Sequence, residues 1–200
     1  MTDEFLSQSK LDAFREIGNI GSGHAASALS QLLQRRIDMS IPKVWMISFE
    51  QIAEIAGGME EPQVMIYLHV NGEAPGKAVF LFPLESAQSV LRGLFQSDQQ
   101  MDLLDELRQS ALKEVGNILV SSFLMALTQL SGISMQASVP AIAVDMAGAG
   151  LGAILLEDGD LEDQVLFIDT ELSGTPQIEG KFVFLLKQGG LEKLLGALGI

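Results

Sequence analysis

The chain contains no cysteine, only two histidines, and 12 Lys and Arg against 26 Asp and Glu. Without cysteine there is no disulfide framework, no thiolate metal site and no cysteine nucleophile. His24 and His69 fall in no metal-spacing motif. A formal charge of −14 and a sequence pI near 4.4 argue against nucleic acid or an anionic membrane surface as partner, since both need clustered cations. No run of 18 uninterrupted apolar residues predicts a membrane-spanning helix. The start, Met1-Thr2-Asp3-Glu4, lacks the basic and then apolar pattern of a secretory signal, so a cytoplasmic protein is expected.

What the chain has is a core and a repetition. Of its 200 residues 48% are hydrophobic, enough for one domain over 1–200. Asp12-Ala13-Phe14-Arg15-Glu16-Ile17-Gly18-Asn19-Ile20 returns 98 positions later as Ser110-Ala111-Leu112-Lys113-Glu114-Val115-Gly116-Asn117-Ile118. Pro42 and Pro140 keep that offset. Gly76-Lys77-Ala78-Val79-Phe80 and Gly180-Lys181-Phe182-Val183-Phe184 repeat it with six residues gained, which we place in a hairpin loop over 157–163. The repeat halves are about 9–96 and 102–199.

Each half reads as a long helix, then strands, then a shorter helix. The first long helix is predicted from an N-cap at Ser9 to Arg35 or Arg36, and the second from about Asp102, capped by Asp98 or Asp102, to Leu130. Strands are expected over 43–49, 64–70, 76–82, 141–145, 150–156, 164–172 and 179–186, with a turn at Asn71-Gly72. Shorter helices are expected over 51–56, 85–95 and 189–198. The segment 145–150 reads as a loop. Neither half's sheet is large enough to stand alone. The expected class is therefore α+β: duplicated αβ halves related by an approximate two-fold axis, sharing one continuous β-sheet with the two long helices packed on it.

The repetition extends to the polar residues. At about 100° per residue, Asp12, Glu16, Asn19 and Gly23 share an arc of roughly 60°. So do Ser110, Glu114, Asn117 and Ser121. The opposite face carries Phe14, Ile17, Gly18, Gly21, Ala25, Ala28 and Leu32, or Leu112, Val115, Gly116, Leu119, Phe123, Ala126 and Leu130. Packing accounts for a repeated apolar stripe and for Gly18 and Gly116. It does not account for an exposed mid-helix Asn, a poor helix former, placed twice at one spacing. Asn cannot act as a base, but its amide can donate to and accept from a water and so orient it. Glu can act as a base or form an ion pair with a basic partner. Gly21-Ser22-Gly23 lacks the Lys and preceding strand of a phosphate-binding loop. His24 lies at the rim. Met39, Met46, Met59 and Met65 read as core filler.

The twofold Asp/Ser-x-x-x-Glu-x-x-Asn, with Gly before each Asn and Pro after each long helix, resembles the CheC/CheX/FliY family of chemotaxis response-regulator phosphatases, and its presence in both halves is the pattern of the CheC branch. The resemblance implies a phosphatase of the aspartyl-phosphate of a CheY-like receiver domain. It implies that Asn19 and Asn117 hold the attacking water and that Glu16 and Glu114 dock the receiver, with Asp12 and Ser110 as supporting positions. It implies no cofactor of the chain's own, the Mg2+ belonging to the receiver, and a CheD-type deamidase as a further partner. Asp12 equally fits a capping-box carboxylate. The second motif is expected to be the more active, because Gly21 and Gly23 loosen the first helix. The rival readings are a non-catalytic adaptor for phosphorylated receivers or for the deamidase, and a flagellar-switch component.

Overall fold

The computed structural model describes residues 8–40, 43–47, 51, 58, 60–157, 165–169, 172–174, 178–186 and 189–199. Their elements are α1 (Gln8–Leu33), β1 (Ile37–Met39), β2 (Lys43–Ile47), β3 (Pro62–Gly72), β4 (Gly76–Pro83), α2 (Leu84–Phe95), α3 (Glu106–Ser131), β5 (Met135–Ala137), β6 (Ala141–Met146), α4 (Ala147–Leu156), β7 (Val165–Asp169), β8 (Leu172–Gly174), β9 (Lys181–Leu186) and α5 (Gly190–Ala197).

The main sheet is antiparallel, in the order β2-β7-β9-β4-β3, with β5 and β6 both paired to the outer edge of β3. β1 and β8 form a separate antiparallel pair. The centre of the main sheet is the β4–β9 pairing, where Val79 lies opposite Val183, Ala78 opposite Phe184 and Phe80 opposite Phe182. Gly76–Phe80 and Gly180–Phe184 are the repeated segments, so the two copies run antiparallel across the middle strands and meet at the one corresponding pair, Val79 and Val183.

β4, β9 and the middle of β3 are buried on both faces, which is why β4 reads as an apolar run from Ala78 to Phe82 rather than an alternating one. One face carries Val64, Ile66, Leu68, Phe80, Phe82, Phe182 and Phe184 against the core residues of α1, α2, α3 and α5. The other carries Met65, Val79, Leu81, Val183 and Leu185 under Ala147, Leu151 and Ile154 of α4. The rings of Phe123 and Phe182 stack at 4.5 Å between centroids, tying α3 to β9.

Several expectations need correction. Residues 147–156 are a helix, not a loop followed by a strand. Their small and apolar residues cover the second sheet face, and Gly150 approaches the Met65 side chain so closely that a Cβ would collide with it. The expected strand over 164–172 is two short strands, β7 and β8. α3 starts at Glu106 because Asp105 is its N-cap, accepting from the N–H groups of Leu107 (3.0 Å) and Arg108 (3.2 Å). Asp102 caps the preceding turn instead, accepting from Leu104 N at 2.9 Å. α1 begins at Gln8, with Ser9 already inside it.

At the far end of α1 the buried positions are Leu29 and Leu33, while Leu32 is exposed and Ala28 half-buried. The stripe rotates there because that end packs on β1 and α2. Leu130 is likewise exposed. By length and composition α3 reaches the range of a membrane span, although more than half of that stretch is buried in the core. The helix expected over 51–56 beyond Gln51, the loop over 158–163, and the side chains of Met46 and Met59 lie outside the described residues. Met65 is buried and Met39 partly buried, as core filler should be.

Candidate functional site

The two motif helices are each 26 residues long and pack side by side against the sheet. Their core faces are held by Phe14, Ile17, Ala25 and Leu29, and by Leu112, Val115, Leu119 and Phe123, each at most 1% exposed. Because those faces are fixed, the opposite faces must point outward. Glu16, Asn19, Asp12, Glu114 and Ser110 are exposed, and Asn117 is half-buried. Within each motif the Glu and the Asn stand three residues apart, so their Cβ atoms are neighbours at about 5–6 Å.

Among the described residues, the side chains of Glu16, Asn19, Glu114 and Asn117 form no hydrogen bond or ion pair. Two carboxylates and two amides are thus held on rigid helices with their bonding capacity unspent. Asp12 differs: its carboxylate accepts from Arg15 Nη1 at 2.7 Å, so it serves as one half of an exposed ion pair one turn into the helix rather than as a capping box. Ser110 lies on the exposed face, in the second turn of α3.

Glycine sets the depth of both helices. A Cβ at Gly116 would collide with the Ile66 side chain, so α3 lies close on β3. A Cβ at Gly21 would stand 2.9 Å from Phe123 Cδ1 and 3.1 Å from its Cα, so α1 lies close on α3. The loosening expected of Gly21 is therefore offset by tight packing on the second motif helix. Gly23 has nothing within 4 Å of its Cβ direction. Gly21-Ser22-Gly23 is regular helix, with Ser22 buried. His24 is exposed at the edge of the motif face.

The start of α3 is braced. Arg108 donates to Asp105 at 2.9 Å, and its guanidinium lies 5.4 Å from the centroid of the Phe95 ring. The hydrogen bond from Arg108 holds the Asp105 carboxyl below the usual carboxylate range. Just before it, the buried Gln88 amide accepts from Met101 N (2.9 Å) and donates to Met101 O (2.6 Å), fixing the segment that joins the halves. Sequence reading missed the Gly21–Phe123 contact. Its one signal was a Gly on the core side of a helix that has no turn to make.

Among the described residues no three His, Asp or Glu side chains come together as metal ligands. The arrangement can grip a cation with a carboxylate and position a small polar molecule with an amide, twice over. It is an exposed polar surface on two helices rather than an enclosed pocket.

Such a pair of helices, each presenting an unspent Glu and Asn above a shared antiparallel sheet, defines an α+β protein with a duplicated polar helix face. The sequence profile of the CheC-like family matches residues 10–46 and again 107–144, one segment around each motif. The chain is 34% identical to the CheY-P phosphatase CheC of Bacillus subtilis, over 97% of this chain and 96% of that one. The chain belongs to the CheC-like family. In structure it is similar to FliY of Thermotoga maritima, with a TM-score of 0.76 at 20% identity over 98% of both chains. It is also similar to the CheX–CheY–BeF3–Mg2+ complex of Borrelia burgdorferi, with a TM-score of 0.53 at 16% identity over 86% of this chain and 98% of that one. Those two likenesses establish the fold.

Proposed function

We propose that this chain accelerates hydrolysis of the aspartyl-phosphate on a CheY-like receiver domain. The observation that carries the reading is the pair of outward Glu-x-x-Asn motifs, each left unpaired on a helix whose other face is locked in the core. Family membership and a relative that is itself a CheY-P phosphatase support it. In this reading Glu16 or Glu114 pairs with a cation beside the receiver's phosphoryl group. Asn19 or Asn117 donates to and accepts from a water, holding it in line with the phosphorus. The water's oxygen bonds to phosphorus as the bond to the aspartyl oxygen breaks, releasing inorganic phosphate and the free carboxylate. The amide supplies position rather than basicity. The Mg2+ that this chemistry needs is the receiver's, and CheY occurs with CheX and Mg2+ in the Borrelia burgdorferi complex. A CheD-type deamidase is a second partner of the same reading.

The halves 9–96 and 102–199 are, in this reading, two copies of one unit about a two-fold axis that passes between Val79 and Val183. Each copy then presents its own docking face.

The test is phosphate release from a panel of phosphorylated receiver domains, with and without this protein. Faster release from at least one CheY-like receiver is expected. Binding to phosphorylated receivers with no faster release would replace the reading with that of an adaptor.

A further inference from the structure

The two motif faces differ at their ends. On α3, Leu107 and Met125 are 18 residues apart, five full turns, so they lie on one line along the helix about 27 Å from each other. Glu114 lies between them within about 20° of that line, and Ser110, Asn117 and Ser121 within about 80° of it on one side. Leu107 is 58% exposed and Met125 is 59% exposed, although both are large apolar side chains. The α3 motif is therefore a polar centre between two apolar ends. The corresponding positions of α1 are Ser9 and Ser27. Ser27 is exposed and its hydroxyl is turned inward, donating to the Gly23 carbonyl at 3.0 Å. The α1 stripe has no apolar end at this register.

Leu107 and Met125 stand largely outside the core. A 27 Å stripe matches the width of a small domain. A partner of that width centred on Glu114 and Asn117 covers both ends. Apolar residues around a polar centre exclude water from it and add association energy without entering the chemistry. We infer that Leu107 and Met125 are apolar anchors for the receiver domain, and that they make the α3 motif the tighter of two docking faces. The inference rests on the proposed function and assigns its partner preference. It predicts a difference in KM between the motifs, with similar kcat.

The experiment uses the full chain with one motif silenced. In an Asn19→Ala background, which confines turnover to α3, Leu107→Ser with Met125→Ser raises KM for the phosphorylated receiver about tenfold and leaves kcat within about twofold. In an Asn117→Ala background the same two substitutions leave KM unchanged, because the active face is α1, while Ser27→Met lowers it. Leu107→Gln and Met125→Gln, which retain helix propensity, each give part of the KM effect with an unchanged thermal midpoint. An unchanged KM in the Asn19→Ala background overturns the inference, as does a fall in kcat at constant KM. Absence of any acceleration by the unmutated chain removes the proposed function itself, and the two failures are thereby told apart.

Discussion

Gly21 of α1 faces Phe123 of α3 so closely that a methyl group on it would stand 2.9 Å from the ring and 3.1 Å from the Phe123 Cα. Phe123 cannot yield, because it is 1% exposed and stacked on Phe182. The contact joins the two motif-bearing helices through their core sides while their polar sides stay free. It yields the first prediction. Gly21→Ala gains up to about 1 kcal/mol of helix propensity but costs about 1–3 kcal/mol of overpacking, for a net loss. Gly23→Ala, two residues on, meets nothing and gains about 1 kcal/mol. Thermal melts should move in opposite directions for the two variants, by roughly 2–4 °C per kcal/mol. Equal shifts would show that the close approach is not there.

Asn19→Ala together with Asn117→Ala should reduce accelerated dephosphorylation by about 10²–10³-fold or more while receiver binding persists. Single-turnover phosphate release, measured beside equilibrium binding, separates the two effects. A double variant with full turnover excludes the amides from positioning water.

Glu16→Ala with Glu114→Ala should weaken binding as well as turnover, since a charge-assisted contact is lost. Raising ionic strength should weaken the unmutated chain in the same way and the double variant much less, because salt screens the pair that the variant lacks. Parallel salt titrations with equal slopes would count against an ion pair at these positions.

Lys77 is buried at 5% exposure, donates to the Ile154 carbonyl and pairs with Glu157 at 3.2 Å. It therefore fastens the end of α4 to the middle of the sheet. Lys77→Met should cost roughly 1–3 kcal/mol by leaving the Ile154 carbonyl without its buried donor, the half-exposed Glu157 carboxylate staying in water. Amide exchange should quicken in α4 before it does in α1 or α3. Uniform exchange across all three helices would show that α4 is held by its apolar contacts alone.

The Asp105 carboxyl is held below its ordinary range, first by the hydrogen bond from the Arg108 side chain. A carboxyl lowered in the folded state adds stability above its unfolded pKa, about 4, and loses it as pH falls through the folded value. Asp105→Asn keeps a capping side chain but loses the ion pair. Its thermal midpoint should lie below that of the unmutated chain near neutral pH, and the gap should close on acidification. A gap that stays constant from pH 7 to pH 3 would assign the loss to capping geometry.

The repeat, the two long helices and the outward motif faces were legible in sequence because each rests on local periodicity. A helix with Phe14, Ile17, Ala25 and Leu29 on one side has Glu16 and Asn19 on the other, whatever its neighbours. The central strands were legible because β4 and β9 are short apolar runs with matching sequence. α4 was misread for the same kind of reason. Gly150-Leu151-Gly152-Ala153-Ile154-Leu155-Leu156 is apolar without a clear period, and a short run of that kind fits a buried strand or a buried helix equally well. The start of α3 was placed early because Asp98, Asp102 and Asp105 are all plausible caps. The Gln88–Met101 hydrogen bonds, 13 residues apart in sequence, hold the chain that leads up to the helix.

By itself the sequence determined which residues are doubled, which side of each long helix is polar, and that the chain carries no thiolate site. Those follow from residue identity and from the 3.6-residue turn. Only the tertiary structure decided that the repeated segments Gly76–Phe80 and Gly180–Phe184 meet at the centre of one sheet, that Gly21 is filled by Phe123, and that Leu107 and Met125 are left at the surface. Each depends on a neighbour distant in sequence or on the absence of one, and a local pattern carries no information about which surface is covered and by what.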